Sequence, residues 1–379
     1  MTKYLFLLLS LFVPSLVCEA QKSDTLLFSG QASAWANYNF DQDISLAAGV
    51  RYIPQINFQA VKGKNLFDAE ISLNLNGSAM IRPFDSLAGD GSIKPYRIWV
   101  RYSGPQFEVR AGLQKINFGS ATMLRPLMWF DKLDPRDPLQ LTDGVWGLLG
   151  RYYFLNNANL WLWIILPSEN PKTWEFAGSD IKYPETGGRI QLPVAKGEIA
   201  FSGHWRMADT RQNQLSLPEY ASVPETRLGL DGKWDLGIGL WFEASQTSFS
   251  KTLGDLKHQT IVSLGADYTF GIGNGLNLVV EHLQAASGEK LFSYSASIGF
   301  TGLSISYPLS MNNNLSAITY FDLRNKQSYN FLSYKRQLRK LDLHIMAFLN
   351  PKNYQMPYQT TDNMMLAGKG LQLMLVYNH

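Results

Sequence analysis

LFDAEISLNLNGSAMI, residues 66–81, decides the fold. Phe67, Ala69, Ile71, Leu73, Leu75, Gly77, Ala79 and Ile81 share one parity, and Asp68, Glu70, Ser72, Asn74, Asn76 and Ser78 the other. Successive side chains of a strand point to opposite faces, so this segment carries one apolar face and one wet face. The wet face holds too much carboxylate and amide for a protein core. The apolar face must be buried all the same, and lipid can bury it without a second layer of protein.

The pattern repeats outward from there. Upstream, Ala32, Ala34 and Ala36 alternate with Gln31, Ser33 and Asn37, and Leu46, Val50, Tyr52, Ile56 and Phe58 with Arg51, Gln55, Asn57 and Gln59. Downstream, Tyr96, Ile98, Val100 and Tyr102 stand opposite Arg97, Trp99 and Arg101, and Phe107, Val109, Ala111 and Leu113 opposite Glu108, Arg110 and Gln114. In the second half, Val262, Leu264, Ala266 and Tyr268 form one clear face, and Trp241 and Glu243 point inward. Tyr294, Ala296, Ile298 and Phe300 read as one segment, and Leu303, Ile305 and Tyr307 as the next. Leu276 to Leu283 is less regular because Val279 and Val280 are adjacent.

Roughly 18 or 19 segments result, and single-chain bacterial barrels close with an even number. The expectation is therefore all-β: a transmembrane antiparallel up-and-down β-barrel of about 18 strands, with 16 as the alternative. The surplus segment is expected at 276–283 or 303–307. Short connections such as 103–105 and 271–274 suit the periplasmic end. The longer ones at 82–92, 119–144, 167–187, 208–225 and 248–258 suit the extracellular end.

Composition agrees with that reading. Downstream of the first twenty residues there is no run of about 18 apolar residues, so no spanning helix is expected. A mean hydropathy of −0.13 fits a wall that shows lipid only every second residue. Aromatic residues make up 13% with ten Trp, as interfacial girdles require. A net charge of +3 is too small to imply a nucleic-acid partner.

The first twenty residues read as a secretory signal peptide. Lys3 supplies the positive start, Tyr4 to Val13 the apolar run, and Cys18 and Ala20 the small residues before a cut at Gln21. A lipoprotein reading of Cys18 is disfavoured by Val17 immediately before it. Residues 21–379 are then one barrel domain without a thiol, which excludes disulfides and thiolate metal sites.

The candidate site lies in and around the 119–144 connection. Arg97, Arg101, Glu108, Arg110 and Arg151 fall on inward faces of the flanking strands and are expected to line the pore. The connection itself carries Arg125, Asp131, Asp134, Arg136, Asp137 and Asp143, expected to form a constriction. Guanidinium on a low-dielectric wall, approached by carboxylates, sets up a transverse field. Two readings stay open: the loop folds inward and narrows the lumen, or it caps the barrel outside with its charges paired locally.

These residues also carry a resemblance. Arg110-Ala-Gly-Leu-Gln-Lys-Ile-Asn-Phe-Gly119 resembles the strand motif of Gram-negative porins, including the alginate-export and phosphate-selective groups, and Asp131-Lys-Leu-Asp-Pro-Arg-Asp-Pro138 is similar to the loop after it. The final strand, with Leu371, Leu373, Leu375 and Tyr377, resembles the assembly signal of outer-membrane barrels, although His379 stands where Phe is usual. The resemblance implies an outer-membrane channel and fixes no substrate.

Other chemistries find little support. The five histidines, at 204, 258, 282, 344 and 379, have no metal-pair spacing, and no Gly-x-Ser-x-Gly elbow is present. Ser202 near His204, and Ser248 with Lys251, match a hydrolase only formally. Prolines interrupt any calcium loop at 131–143. No catalytic residue, metal or cofactor is expected. The expected partners are outer-membrane lipid and small hydrophilic solutes, with anionic ones as one option, and a second copy of the chain as a candidate. A barrel serving a secretion or surface-assembly system is the alternative, and a barrel hydrolase ranks below it.

Overall fold

A computed structural model describes residues 24–41, 46–81, 87–211, 217–292, 294–353 and 365–379. The expected signal peptide, residues 1–20, lies outside them. The first strands are β1 (Thr25–Asn39), β2 (Leu46–Lys62), β3 (Asn65–Ile81), β4 (Leu87–Ser103) and β5 (Phe107–Gln114). After a long connection come β6 (Val145–Tyr153), β7 (Asn159–Ile165), β8 (Gly178–Ser179), β9 (Glu185–Val194) and β10 (Gly197–Asp209). Then follow β11 (Val223–Asp235), β12 (Gly239–Phe249), β13 (His258–Phe270), β14 (Leu276–Gly288) and β15 (Ala296–Ser310). The chain closes with β16 (Asn313–Asp322), β17 (Gln327–Leu338), β18 (Leu341–Leu349) and β19 (Lys369–Asn378).

Every wall strand is antiparallel to its neighbours, and β1 pairs with β19 from Gln31↔Asn378 to Asn39↔Gly370, so the sheet has no edge. β8 is a two-residue strand inside the connection from β7 to β9, and the remaining 18 form a closed barrel. Turns at one end are short, at 63–64, 104–106, 154–158, 195–196, 236–238, 271–275, 311–312 and 339–340. Among the described residues, the longer connections at 115–144, 166–184 and 250–257 lie at the other end.

The outer face is apolar along its length. Ile71 is 53% exposed and Leu264 57%, with Val50, Phe67, Val100, Leu371 and Leu373 also exposed on the same surface. Each such side chain left in water would forgo about 1.5–3 kcal/mol, so this surface requires lipid.

Three expectations about the strands need correction. The pieces 294–300 and 303–307 belong to one strand, because β15 pairs without a break with β14 from Asn277↔Ser306 to Ser287↔Ala296. Residues 87–92, expected in a loop, extend β4 and pair with β3. Tyr96, expected on the lipid face, is the extra residue of a bulge where Ser72 pairs Arg97 and Leu73 pairs Pro95, and it lines the lumen cavity.

One cause explains the miscounted strand. Leu303 and Ile305 are exposed while Phe300 is buried, so apolar parity reverses within a continuous strand. Phe300 joins Ile261, Leu283, Tyr320, Tyr329, Phe331, Met346 and Phe348 in a cluster with Met123 and Leu124 of the 115–144 loop. Apolar residues point into the lumen there because the loop presses on them.

Candidate pore constriction

The 115–144 loop folds into the barrel, fastened by two inward carboxylates. Glu243 of β12 accepts the backbone N–H of Ala121 at 2.7 Å and of Leu127 at 3.0 Å. Glu281 of β14 accepts those of Thr122 (2.6 Å), Met123 (2.8 Å) and Leu124 (2.6 Å), with the Trp241 Nε1–H at 2.9 Å. Charge-assisted bonds of this kind are roughly twice as strong as neutral ones. Gly119 makes the approach possible, with φ +104° and a position where a Cβ would stand 2.3 Å from Glu243 Oε1. Beneath it, Ile116, Phe118, Leu127, Trp129 and Phe130 pack against Val145, Leu149, Trp163 and Ile165. Part of the barrel interior is thus a protein core rather than water.

The charges on the loop are placed as follows. Arg125 is buried and donates to Asn117 Oδ1 at 2.7 Å and Phe118 O at 3.0 Å. Asn117 donates in turn to Asp131 Oδ2 at 2.6 Å. Burial pushes the Asp131 carboxyl above its ordinary range, against the pull of Arg125 and Lys115. Arg136 grips Asp134 with Nε (2.7 Å) and Nη2 (2.6 Å), and its guanidinium stands over the Phe331 ring. Asp137 accepts the N–H groups of Leu139 (2.9 Å) and Leu141 (3.2 Å). Burial raises its pKa, opposed by those N–H groups and by Arg51 across the gap. Asp143 is exposed beside the same cavity.

The wall residues separate into two places. Arg97 reaches the end of the loop, donating to Thr142 O at 2.9 Å and Thr142 Oγ1 at 2.7 Å, and it lines the cavity. Arg101, Glu108, Arg110 and Arg151 gather towards the short-turn end. Arg101 Nε meets Asp68 at 2.9 Å, and Glu108 meets Arg151 at 3.0 Å and Arg110 at 3.8 Å. Arg151 stacks on Trp161 at 3.8 Å and Arg110 on Trp99 at 4.7 Å. Three guanidinium groups here share two carboxylates, Asp68 and Glu108, so most of the charge in this group is paired.

What stays open is a cavity of about 760 Å³ between the loop and the wall of β1–β4, β18 and β19. Arg51, Lys94 and Arg97 face it from the wall, and Lys132, Asp134, Asp137 and Asp143 from the loop. Arg51 and Lys94 were not singled out from the sequence, although Arg51 lies on the inward parity. Their signal was there: isolated cations among Asn and Ser on one strand face.

A second loop, 166–184, enters over the first, and Trp174 Nε1 donates to Arg125 O at 2.9 Å. Its Glu175 meets Arg206 of β10 at 3.1 Å and Arg227 of β11 at 2.8 Å, and its Lys172 meets Glu185 at 2.7 Å. Burial would raise the Glu175 pKa, but Arg206, Lys172 and Arg227 together hold it below its ordinary value. Sequence reading missed this network because its members are spread over one loop and three strands with no common motif.

The residues considered for hydrolysis have other partners. Ser202 accepts from Arg189 at 3.1 Å, while His204 sits between Trp163 Nε1 (3.2 Å) and Glu185 (3.3 Å). Ser248 meets His258 at 3.0 Å, and Lys251 donates to Ser222 O at 3.2 Å. Among the described residues no group of His, Cys, Asp or Glu is placed to hold a metal ion.

No protein-family model and no curated protein matches this chain. Solved structures of similar fold do exist. Acinetobacter baumannii OccAB4 aligns with a TM-score of 0.56 at 9% identity, over 95% of this chain and 99% of that one. The outer membrane channel DcaP of Acinetobacter baumannii gives 0.50 at 11% identity, over 96% and 99%. OmpT, an outer membrane protein of Vibrio cholerae in a trimer form, gives 0.50 at 10% identity, over 94% and 99%. The chain has the fold of outer-membrane porins: a closed 18-strand antiparallel barrel.

Proposed function

We propose that this chain, after removal of residues 1–20, is a channel of the bacterial outer membrane. It passes small hydrophilic solutes, anions ahead of cations, down their gradients. One observation carries the reading. The 115–144 loop is packed against one side of the lumen and leaves a polar cavity lined by Arg51, Lys94 and Arg97 opposite Asp137. Opposed charges across a narrow, low-dielectric gap orient a permeating solute, and the surplus cations favour anions. The Arg101, Glu108, Arg110 and Arg151 group acts as a polar vestibule on the way out. The fold shared with the channel DcaP supports passive transport over a docking role, and the trimer form of OmpT supports a second copy of the chain as partner.

Planar-bilayer recording tests the proposal. Purified, refolded chain should give steady ohmic steps in KCl, with a reversal potential on the anion side in a salt gradient. No steps at any voltage would end the reading.

A further inference from the structure

The charged wall of the cavity adjoins an apolar shelf that a channel for purely hydrophilic ions does not need. Trp35 of β1 lies flat across Gly49 of β2, where a Cβ would stand 2.6 Å from Trp35 Cε2 and 2.7 Å from Cζ2. A glycine inside a strand forgoes packing, and here it allows close approach of a ring. The indole is only part-buried and lines the cavity. Trp35 pairs with Met374 of β19, and Met346 of β18 lies diagonal to Met374 through Gln372. Met346 and Met374, both almost wholly buried, and the half-buried Leu366 back the same cavity behind the indole. Thioethers and an indole make a soft, adaptable surface that suits apolar groups of varied shape.

The cation is next door. Arg51 pairs with Ser33, so on the lumen face it is the diagonal neighbour of Trp35, about 7–8 Å away in backbone terms. Its Nε is buried without a hydrogen-bond partner among the described residues.

We infer that the Arg51–Trp35–Met374 wall is a subsite for amphipathic organic anions, with the oxyanion at Arg51 and the apolar body on the Trp35 shelf. The inference deepens the channel reading and rests on it. Along the wall beyond Arg51, its own row continues with Asn76 and Ser92, and the next row holds Asn74 and Lys94, which would hold a hydroxyl or a charge but not a ring.

The test uses the full refolded chain in planar bilayers carrying KCl current. Phenylacetate, acetate and phenylethylammonium are added at constant ionic strength, and half-blocking concentrations are read. Phenylacetate should block at a concentration about 2- to 10-fold lower than acetate, the range of one aromatic contact. It should also block at a lower concentration than phenylethylammonium. In Trp35→Ala the ratio of acetate to phenylacetate should fall towards one, and in Arg51→Gln the preference over phenylethylammonium should fall. Equal half-blocks for phenylacetate and acetate in the wild type, with normal KCl steps, would overturn the shelf and leave the channel standing. Equal half-blocks for phenylacetate and phenylethylammonium would overturn the role of Arg51. Absence of KCl steps would instead sink the channel reading itself.

Discussion

Glu281 Oε2 accepts the backbone N–H of Leu124 at 2.6 Å, from a residue 157 positions earlier in the chain. The same carboxylate also takes Thr122 N, Thr122 Oγ1, Met123 N and Trp241 Nε1. One wall side chain therefore fixes four donors on three consecutive loop residues across the lumen.

Glu281→Ala should free the 122–124 segment while leaving the barrel closed, since the wall hydrogen bonds are untouched. Stranding buried donors of a charged acceptor costs about 3–5 kcal/mol in loop docking. Single-channel steps should become larger and noisier than wild type. Steps of unchanged size and noise would mean that the loop does not depend on Glu281.

Gly119→Ala tests the same docking from the other carboxylate. The new Cβ would meet Glu243 Oε1 at 2.3 Å in a backbone of φ +104°. Strain of this kind costs roughly 1–3 kcal/mol, apart from the clash. Protease cleavage within 115–144 should accelerate in the folded barrel. A cleavage rate equal to wild type would show that the loop absorbs the methyl group.

How much of this was legible in the sequence depends on what each residue faces. Strands whose inner face meets water, such as β3 with Asp68, Glu70 and Asn74, alternate cleanly and were read correctly from parity alone. β14 and β15 were harder, because Leu283 and Phe300 face a protein loop and are as apolar as the residues facing lipid. Adjacent Val279 and Val280 therefore mark loop contact rather than a broken strand. At the constriction, the loop acids from Asp131 to Asp143 were visible as a cluster close in sequence. Arg51, Lys94 and Trp35 lie on strands far from that loop in sequence, and only barrel closure brings them together.

Glu175 gives the second loop a definite pH response. Its pKa is lowered on folding by Arg206, Lys172 and Arg227, outweighing burial. A depressed carboxyl contributes stability that is complete above its unfolded pKa, near 4.3, and is lost as pH falls through the lower folded value. The 166–184 loop should therefore stay docked at pH 5 and release only below about pH 4. Hydrogen exchange at the Ser179 and Asp180 amides, which bond Ser168 O and Met207 O at 2.8 Å each, reports the docking. In Glu175→Gln those amides should exchange faster at pH 7. Release already at pH 5 in the wild type would contradict the direction of the shift.

Selectivity should follow Arg51 and Lys94, wall cations with no close ion pair among the described residues, rather than the larger arginine group. A unit charge about 5 Å from the solute path, at a dielectric between those of water and protein surface, changes an ion's energy by roughly 1–3 kcal/mol before screening. Salt at 0.1 M reduces this to a several-fold change in permeability ratio for charges at such range. Arg51→Ala with Lys94→Ala removes two cations facing the cavity and should move the reversal potential in a KCl gradient towards the cation side. Arg101→Ala with Asp68→Ala removes a bonded pair, Nε to Oδ1 at 2.9 Å, and leaves the net charge unchanged. That double variant should keep the wild-type reversal potential. If it shifts selectivity as far as the Arg51 and Lys94 variant does, the vestibule and not the constriction sets the preference for anions.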